Sequence, residues 1–159
     1  MDISYRQISE DDYFFLREML YEALFVPYGE KPFPKSILDL PEISKYIEGW
    51  GPSDFGIIAQ YGAELIGAVW GRLFTSTNKG YGYVDDSIPE LTMAVKSSYR
   101  NMGIGSEMMN KFFLLAKRNG HNAVSLSVDK RNRATGFYLK TGFSIIKEAG
   151  TAYTMKKLL

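Results

Sequence analysis

The stretch "YRNMGIGSEMMNKFF", from Tyr99 to Phe113, places Gly103 and Gly105 where an amphipathic helix begins. Glycine inside a helix costs roughly 1 kcal/mol relative to alanine. Two glycines in the first turn therefore indicate a local requirement that outweighs helix propensity. Apolar residues at helical spacing follow them, at Ile104, Met108, Phe112 and Leu115.

The residues before the glycines, "PELTMAV" at 89–95, predict a strand, so the glycines lie in a strand-to-helix turn. Such a turn directs backbone N–H groups outward and lets a ligand approach without a Cβ in the way. It also lies at the positive end of the helix dipole, which favours an anion, typically a phosphate. The alternative is a tight turn that binds nothing.

Two common phosphate-binding motifs do not fit these glycines. A P-loop requires a lysine directly after its last glycine, whereas Ser106 follows Gly105. A dinucleotide fingerprint requires a third glycine at the position of Met108. The pattern that remains is Arg100-x-x-Gly103-x-Gly105.

Periodicity and turn residues over the rest of the chain predict an α/β fold: one mixed sheet of about six or seven strands with helices on both faces. The predicted order is β α α β β β α β α β β. Strands are predicted at 3–8, "DFGIIAQ", "LIGAVWGRLF", 89–95, 123–128, "FSIIKEA" and "AYTMKKL". Helices are predicted from Ser9 to about Phe25, over "EISKYIEGW", from Gly103 to about Arg118, and over "RATGFYLKTG".

Length and composition limit the classes of function. The 159 residues suit a single domain, 1–159, and a net charge of +1 gives no positive excess for a nucleic-acid partner. The chain has no cysteine and one histidine, His121, which excludes disulfides, thiolate sites and cysteine nucleophiles; we expect no metal. No signal peptide and no apolar run near the ~18 residues that span a bilayer are present, so we expect a cytoplasmic protein without a membrane partner.

Two motifs, in order, resemble the GNAT superfamily of N-acetyltransferases. Arg100-x-x-Gly103-x-Gly105 after an apolar strand is similar to the acetyl-CoA signature of that family. The later stretch "SLSVDKRNRATGFYLKTGF" is similar to the family's strand, loop asparagine and A-x-x-F-Y-x-x-x-G-F pattern. The residues in register are Asn132, Ala134, Phe137, Tyr138, Gly142 and Phe143. The resemblance covers essentially the whole chain, and the predicted element order matches the family's fold.

The resemblance implies that the strand before the glycines and the strand after the long helix splay apart and hold the pantetheine arm of acetyl-CoA. The pyrophosphate would lie on the N–H groups of Met102–Ser106, and Arg100 would hold the loop or pair with phosphate. Asn132 would contact the pantetheine arm, and it also suits an N-cap of the short helix. The predicted acetyl-CoA residues are Met93, Ala94, Val95, Arg100, Asn101, Met102, Gly103, Ile104, Gly105, Ser106, Asn132, Phe137 and Tyr138.

The resemblance also implies the reaction, in which an amine attacks the thioester directly in a ternary complex. Tyr138 matches the family tyrosine near the thioester sulfur and is the predicted proton donor to the leaving thiolate; the alternative is a tyrosine that only packs. Glu90 is the candidate base, acting through a water. Asp85 and Asp86 compete for that role.

The resemblance implies an acceptor site built by the first two helices, the loop at 26–36 and the turn before the central strand. The aromatic and acidic side chains of this region suit a cationic amine. The predicted acceptor-binding residues are Tyr28, Phe33 and Asp85. The acceptor class stays open between a small-molecule amine and a peptide amine. The alternative function is a non-catalytic acyl-CoA-binding or regulatory module on the same fold. The resemblance also allows a homodimer, with "AYTMKKL" as a candidate contact.

Overall fold

The computed structural model describes all residues, 1–159, as seven strands and four α-helices. The strands are β1 (Ile3–Gln7), β2 (Phe55–Tyr61), β3 (Glu64–Arg72), β4 (Glu90–Val95), β5 (Ala123–Asp129), β6 (Ser144–Ala149) and β7 (Ala152–Leu158). The helices are α1 (Tyr13–Ala23), α2 (Pro41–Ser44), α3 (Ile104–Arg118) and α4 (Ala134–Lys140), with 3-10 turns at Glu10–Asp12, Lys35–Asp39 and Ser97–Tyr99. The predicted α/β fold and its element order are confirmed. None of these helices has the length and apolar character that crossing a membrane requires.

The strands form one sheet in the order β1-β2-β3-β4-β5-β7-β6. Every neighbouring pair is antiparallel except β4 and β5, which run parallel because α3 carries the chain from one to the other. A single residue pair, Glu90 with Ser125, joins these two strands. Beyond it β4 and β5 separate, and their facing edges have no strand partner.

Side chains alternate between two buried clusters, one on each face of the sheet, because successive residues of a strand point to opposite faces. On one face, Leu16 and Met19 of α1 pack in the same cluster as Ile58 and Trp70. On the other face, α3 packs in a cluster with Ile57 and Val69. The prediction of helices on both faces is confirmed.

The helix expected over "EISKYIEGW" is shorter than predicted, since α2 ends at Ser44. The Arg72 guanidinium explains the early end: it donates to the carbonyls of Lys45 (2.9 Å) and Gly49 (3.2 Å) and pairs with Asp54 (3.0 Å). Gly49 also adopts a left-handed φ of 65°. This half-buried arginine therefore draws the segment after α2 into turns on the end of β3.

The suggestion that "AYTMKKL" offers a dimer contact stays a prediction. These residues form β7, which pairs with β5 on one side and β6 on the other. The strand edge that is open at this end of the sheet belongs to β6, all of whose residues are exposed.

Replacing Phe112 by alanine tests the packing of α3 on the sheet. Phe112 is fully buried and stacks on Phe55 with ring centroids 5.1 Å apart. We expect the variant to lose about 3–5 kcal/mol of unfolding free energy in urea titrations, as large-to-small core substitutions do. Leu114→Ala on the exposed side of the same helix is the control and should stay within about 0.5 kcal/mol of the parent. Equal losses in the two variants would contradict this packing.

Candidate active site

A cavity of about 1220 Å³ lies where β4 and β5 separate. Its walls come from β4, the start of α3, the end of β5 and α4, and it extends to the end of α1 and the loop that follows. All the predicted acetyl-CoA residues line it except Met102, whose side chain is exposed. Glu90 and Tyr28 also line this cavity. The sequence motifs and the open strand edges therefore meet at one place.

The turn before α3 presents a row of free backbone donors to the cavity. Asn101 and Gly103 adopt left-handed φ values of 62° and 80°, and Gly103 caps the helix. The N–H groups of Met102–Ser106 donate no hydrogen bond within the protein. Unpaired N–H groups at the start of a fifteen-residue helix attract an anion through their own dipoles and that of the helix.

The two glycines serve different purposes in this turn. Gly103 supplies the left-handed conformation, and a Cβ there would meet no other atom within 4 Å. Gly105 lies inside α3, where a Cβ would meet Met93 Cε at 3.5 Å and Phe137 Cζ at 3.8 Å. Because all three residues line the cavity, a side chain at 105 would occupy space in its wall.

Two polar side chains hold the loops around the cavity. Arg100 Nε donates to the Val95 carbonyl at the end of β4 (3.0 Å), and its guanidinium pairs with Glu22 of α1 at 3.5 Å. Asn132 Oδ1 accepts from the Ala134 N–H at 2.9 Å and so caps the start of α4. Arg100 thus makes the loop contact that was one of its two predicted roles.

Glu90 is the only carboxylate buried in the wall of this cavity. Its side chain is 4% exposed, and its Oε2 accepts a hydrogen bond of 2.6 Å from the Tyr46 hydroxyl. Its other oxygen, Oε1, is buried without a hydrogen-bond partner. Burial raises the pKa of Glu90 from its ordinary value of 4.5 to about 7, although Tyr46, the Gly82 N–H and Lys45 each act to lower it. A carboxylate with this pKa can accept and release a proton near neutral pH.

Tyr138 lies on α4, is buried, and lines the same cavity. Desolvation raises the pKa of its hydroxyl to about 12, so the hydroxyl stays protonated at neutral pH. No charged neighbour contributes to that shift, and the hydroxyl is not engaged by another protein group. It is therefore free to donate a proton or a hydrogen bond to a bound molecule.

The three predicted acceptor residues are scattered. Tyr28 is fully exposed at the rim of the main cavity, whereas Phe33 lines a second cavity of about 230 Å³, where its carbonyl accepts from the Tyr21 hydroxyl. The Asp85 carboxylate lies outside both cavities and accepts hydrogen bonds from Ser87 N (2.9 Å) and Oγ (2.6 Å). Asp86, the other carboxylate considered as a base, accepts from the Tyr83 hydroxyl and also lies outside the cavities.

Sequence reasoning did not single out several residues that line the cavity. Arg131 follows β5, and its guanidinium lies 5.7 Å from the centre of the Phe25 ring, which places a cation–π contact across the cavity. Tyr46 and Tyr81 stack beside Glu90 with ring centroids 6.5 Å apart. Tyr46 belonged to an aromatic-rich region of the sequence, but no local signal places Arg131, Tyr81 or Tyr46 at the cavity, because the folded chain brings them there.

The acetyltransferase (GNAT) family model matches residues 14–143 of this sequence. The chain belongs to the GNAT acetyltransferase family. The turn before α3 and the gap between β4 and β5 are the two features of the family fold that the sequence resemblance implied. The expected enzyme class, an acyltransferase, is thereby confirmed.

Two relatives of this chain are named as acetyltransferases. It is 28% identical over 137 residues to N-alpha-acetyltransferase 50 of Danio rerio, which covers 84% of this chain and 70% of that protein. It is also 28% identical over 123 residues to the probable N-acetyltransferase san of Drosophila melanogaster, which covers 76% of this chain and 56% of that protein.

Solved structures show the same fold. The PaiA N-acetyltransferase from Thermoplasma acidophilum, crystallised with coenzyme A, superposes with a TM-score of 0.71 at 20% identity, over 100% of both chains. Ard1 from Thermoplasma volcanium superposes with a TM-score of 0.66 at 21% identity, over 100% of this chain and 99% of that one.

The buried Glu90 should make the protein less stable as the pH rises. Glu90 has a pKa of 4.5 in the unfolded chain and of about 7 in the folded chain. The free energy of unfolding therefore falls as the pH rises from 4.5 to 7, and the loss is complete above pH 7. We expect Glu90→Gln to raise the thermal midpoint at pH 8 and to leave it unchanged near pH 4. The control is Glu48→Gln, at an exposed carboxylate that accepts from the Tyr13 hydroxyl. A gain in Glu90→Gln that does not depend on pH would contradict the raised pKa.

Proposed function

We propose that this chain is a single-domain N-acetyltransferase, over 1–159, that transfers the acetyl group of acetyl-CoA directly to a primary amine. One observation supports this most strongly. A single cavity combines a row of unpaired backbone N–H groups with a buried carboxylate, Glu90, and a tyrosine, Tyr138, whose hydroxyl is free. An anion-binding end joined to an acid–base end suits a phosphate-bearing acyl donor.

Acetyl-CoA would bind with its pyrophosphate on the N–H groups of Met102–Ser106 and its thioester arm between β4 and β5. The open strand edges support this orientation, because an extended amide-containing arm can replace the missing strand partner in hydrogen bonding. Asn132, at the mouth of the gap, keeps its amide N–H donors free while its oxygen caps α4. The cation on Arg100 lies beside the same turn.

In the reaction, the amine nitrogen attacks the thioester carbonyl carbon, and the carbon–sulfur bond breaks as the new amide bond forms. The amine loses a proton to Glu90 through a water, and the leaving thiolate gains one from Tyr138. A thiol has a pKa near 8.5, well below the value of about 12 for Tyr138, so Tyr138 stabilises the sulfur while the C–S bond breaks and regains its proton when coenzyme A leaves as the thiolate. The chain has no cysteine, so no acyl-cysteine intermediate forms on it.

We propose the α-amine of a peptide as the acceptor. An α-amine has a pKa of about 7.7–8.0, compared with about 10.4 for a lysine side chain. A base with a pKa of about 7 is matched to the first and too weak for efficient deprotonation of the second. The name of the Danio rerio relative, an N-alpha-acetyltransferase, agrees with this choice.

A cytoplasmic location, and the lack of nucleic-acid and membrane partners, stay predictions from composition.

Thermal shifts test binding of the acyl donor. Acetyl-CoA at 100 times its dissociation constant should stabilise the fold by about 2.7 kcal/mol and raise the midpoint by about 5–10 °C, whereas ATP and NAD should not. Gly105→Val, which fills the cavity wall, should lose most of this shift. Gly136→Val, at an open position on α4, is the matched control and should keep it. No shift in the parent at saturating acetyl-CoA would overturn the proposal.

Kinetics test the catalytic roles. With an acceptor peptide, kcat/KM should rise with pH around 7, because Glu90 acts as a base only when ionised. Glu90→Gln should lower kcat by about 10²- to 10⁴-fold. The pH profile of the variant should then show only the ionisation of the acceptor amine, with a pKa of about 7.7–8.0. Release of free thiol from acetyl-CoA is the readout.

The same assay tests the acceptor class through a panel. A peptide with a free N-terminus should react, whereas the same peptide with a blocked N-terminus and an internal lysine, and a small polyamine, should react at least tenfold more slowly. Preference for the lysine peptide or the polyamine would refute the α-amine proposal but keep the acetyltransferase. Binding of acetyl-CoA with no transfer to any amine would favour the non-catalytic module.

A further inference from the structure

The Tyr46 hydroxyl is fixed between two partners at the inner end of the cavity. It donates to Glu90 Oε2 at 2.6 Å and accepts from the Tyr81 N–H at 2.8 Å. The Tyr46 ring packs edge-on against Phe74, with centroids 5.0 Å apart, and is 6% exposed. Because its donor and acceptor capacities are both used, the hydroxyl has one preferred orientation, with its proton toward Glu90.

The backbone of Tyr46 is held just as firmly. Trp70 Nε1 donates to the Tyr46 carbonyl at 2.8 Å, and both groups are buried. Arg72 holds the preceding carbonyl, that of Lys45, at 2.9 Å while it pairs with Asp54. Two residues of β3 therefore fix the segment after α2 to the sheet, and Tyr46 transmits that fixed position to the carboxylate on β4.

The other oxygen of the carboxylate is confined without being hydrogen-bonded. A Cβ on Gly80 would lie 2.2 Å from Glu90 Oε1 and 2.8 Å from the Tyr46 hydroxyl oxygen, so only glycine fits there. Oε1 itself has no hydrogen-bond partner. The carboxylate thus has one oxygen held by Tyr46, while the other is buried against Gly80 and accepts no hydrogen bond.

We propose that Tyr46 is a positioning residue for acetyl transfer, which holds Glu90 by Oε2 in the orientation from which the carboxylate takes the proton of the acceptor amine. This inference rests on the proposed function of Glu90 as the base. The hydrogen bond stabilises the charged carboxylate, so Tyr46 also holds the pKa of Glu90 below the value that burial alone would give. Lys45 is the other charged side chain that acts on Glu90, and it too lowers that pKa. Lys45 Nζ is itself bound to the Lys79 carbonyl and lies 3.3 Å from Asn78 Oδ1.

The test is Tyr46→Phe, which removes the hydroxyl and keeps the ring. A hydrogen bond to a charged group corresponds to about one unit of pKa, so the midpoint of Glu90 ionisation should rise by about one unit. The activity of the variant relative to the parent should then be about tenfold lower at pH 6 than at pH 9.5, where both carboxylates are ionised and only the loss of positioning remains. Taking this ratio cancels the ionisation of the acceptor amine.

Tyr83→Phe is the matched control, because it removes a hydroxyl that also donates to a carboxylate, Asp86, outside the cavity. Its activity ratio should not change with pH. A loss in Tyr46→Phe that is the same at every pH would assign Tyr46 a purely structural role and overturn the proposal.

Carbon-13 NMR of the unmodified protein gives a second readout that does not depend on activity. The Glu90 carboxyl carbon, assigned with Glu90→Gln, should titrate near pH 7, and the Tyr46 ring carbon that bears oxygen should shift with the same midpoint. If the Tyr46 carbon does not follow Glu90, the positioning contact is absent. If both signals move together but no amine is acetylated, the contact stands and the proposed function fails instead.

Discussion

The parallel pairing of β4 and β5 at a single residue pair is the constraint on which the rest of the structure depends. The loop that leads into β4 enforces it. A Cβ on Gly82 would lie 2.5 Å from the Leu126 carbonyl carbon, and the buried Ser125 hydroxyl donates to the Gly82 carbonyl at 2.8 Å. The loop therefore packs directly against β5 where the two strands begin to part. Backbone groups in the middle of a sheet are normally hydrogen-bonded to a neighbouring strand. Beyond Glu90 the facing edges of β4 and β5 have no such partner, and a ligand that binds between them would supply the missing hydrogen bonds.

The burial of Glu90 at the inner end of the same gap also lowers the stability of the fold. A carboxylate with a pKa of about 7 is largely ionised above neutral pH, and burying that charge opposes folding. The surroundings reduce the cost only partly, through the hydrogen bond from Tyr46 to Oε2 and through the Gly82 N–H and Lys45, and leave Oε1 without a hydrogen-bond partner. A glutamine or a leucine at position 90 would relieve the penalty. The retention of a charged group with only one hydrogen-bonded oxygen in the wall of this cavity indicates that its chemistry outweighs its effect on stability.

The parts of the molecule that could be predicted from sequence are those fixed by short-range physics. The strand 89–95, the left-handed Gly103 and the amphipathic α3 follow from periodicity and glycine conformation within one continuous stretch. Contacts between distant segments could not be predicted. Tyr46 and Glu90 are 44 residues apart, and their hydrogen bond depends on where Arg72 ends α2. Asp85 and Phe33 were expected near the acceptor because they lie in the right segments, but their placement depends on local hydrogen bonds that composition does not reveal.

The two ends of the cavity therefore differ in how they are encoded. The anion-binding end consists of main-chain N–H groups in one turn, and its geometry needs little more than the two glycines and the helix behind them. The acid–base end is assembled from four separate segments, because Glu90 is on β4, Tyr138 is on α4, Tyr46 follows α2, and Gly80 lies in the loop before β4. Main-chain donors tolerate replacement of the side chains around them, whereas a side-chain network fails when any member moves. We therefore expect donor binding to tolerate substitutions better than catalysis, which on the proposed roles depends on the packing of α2 and its following turn against β3.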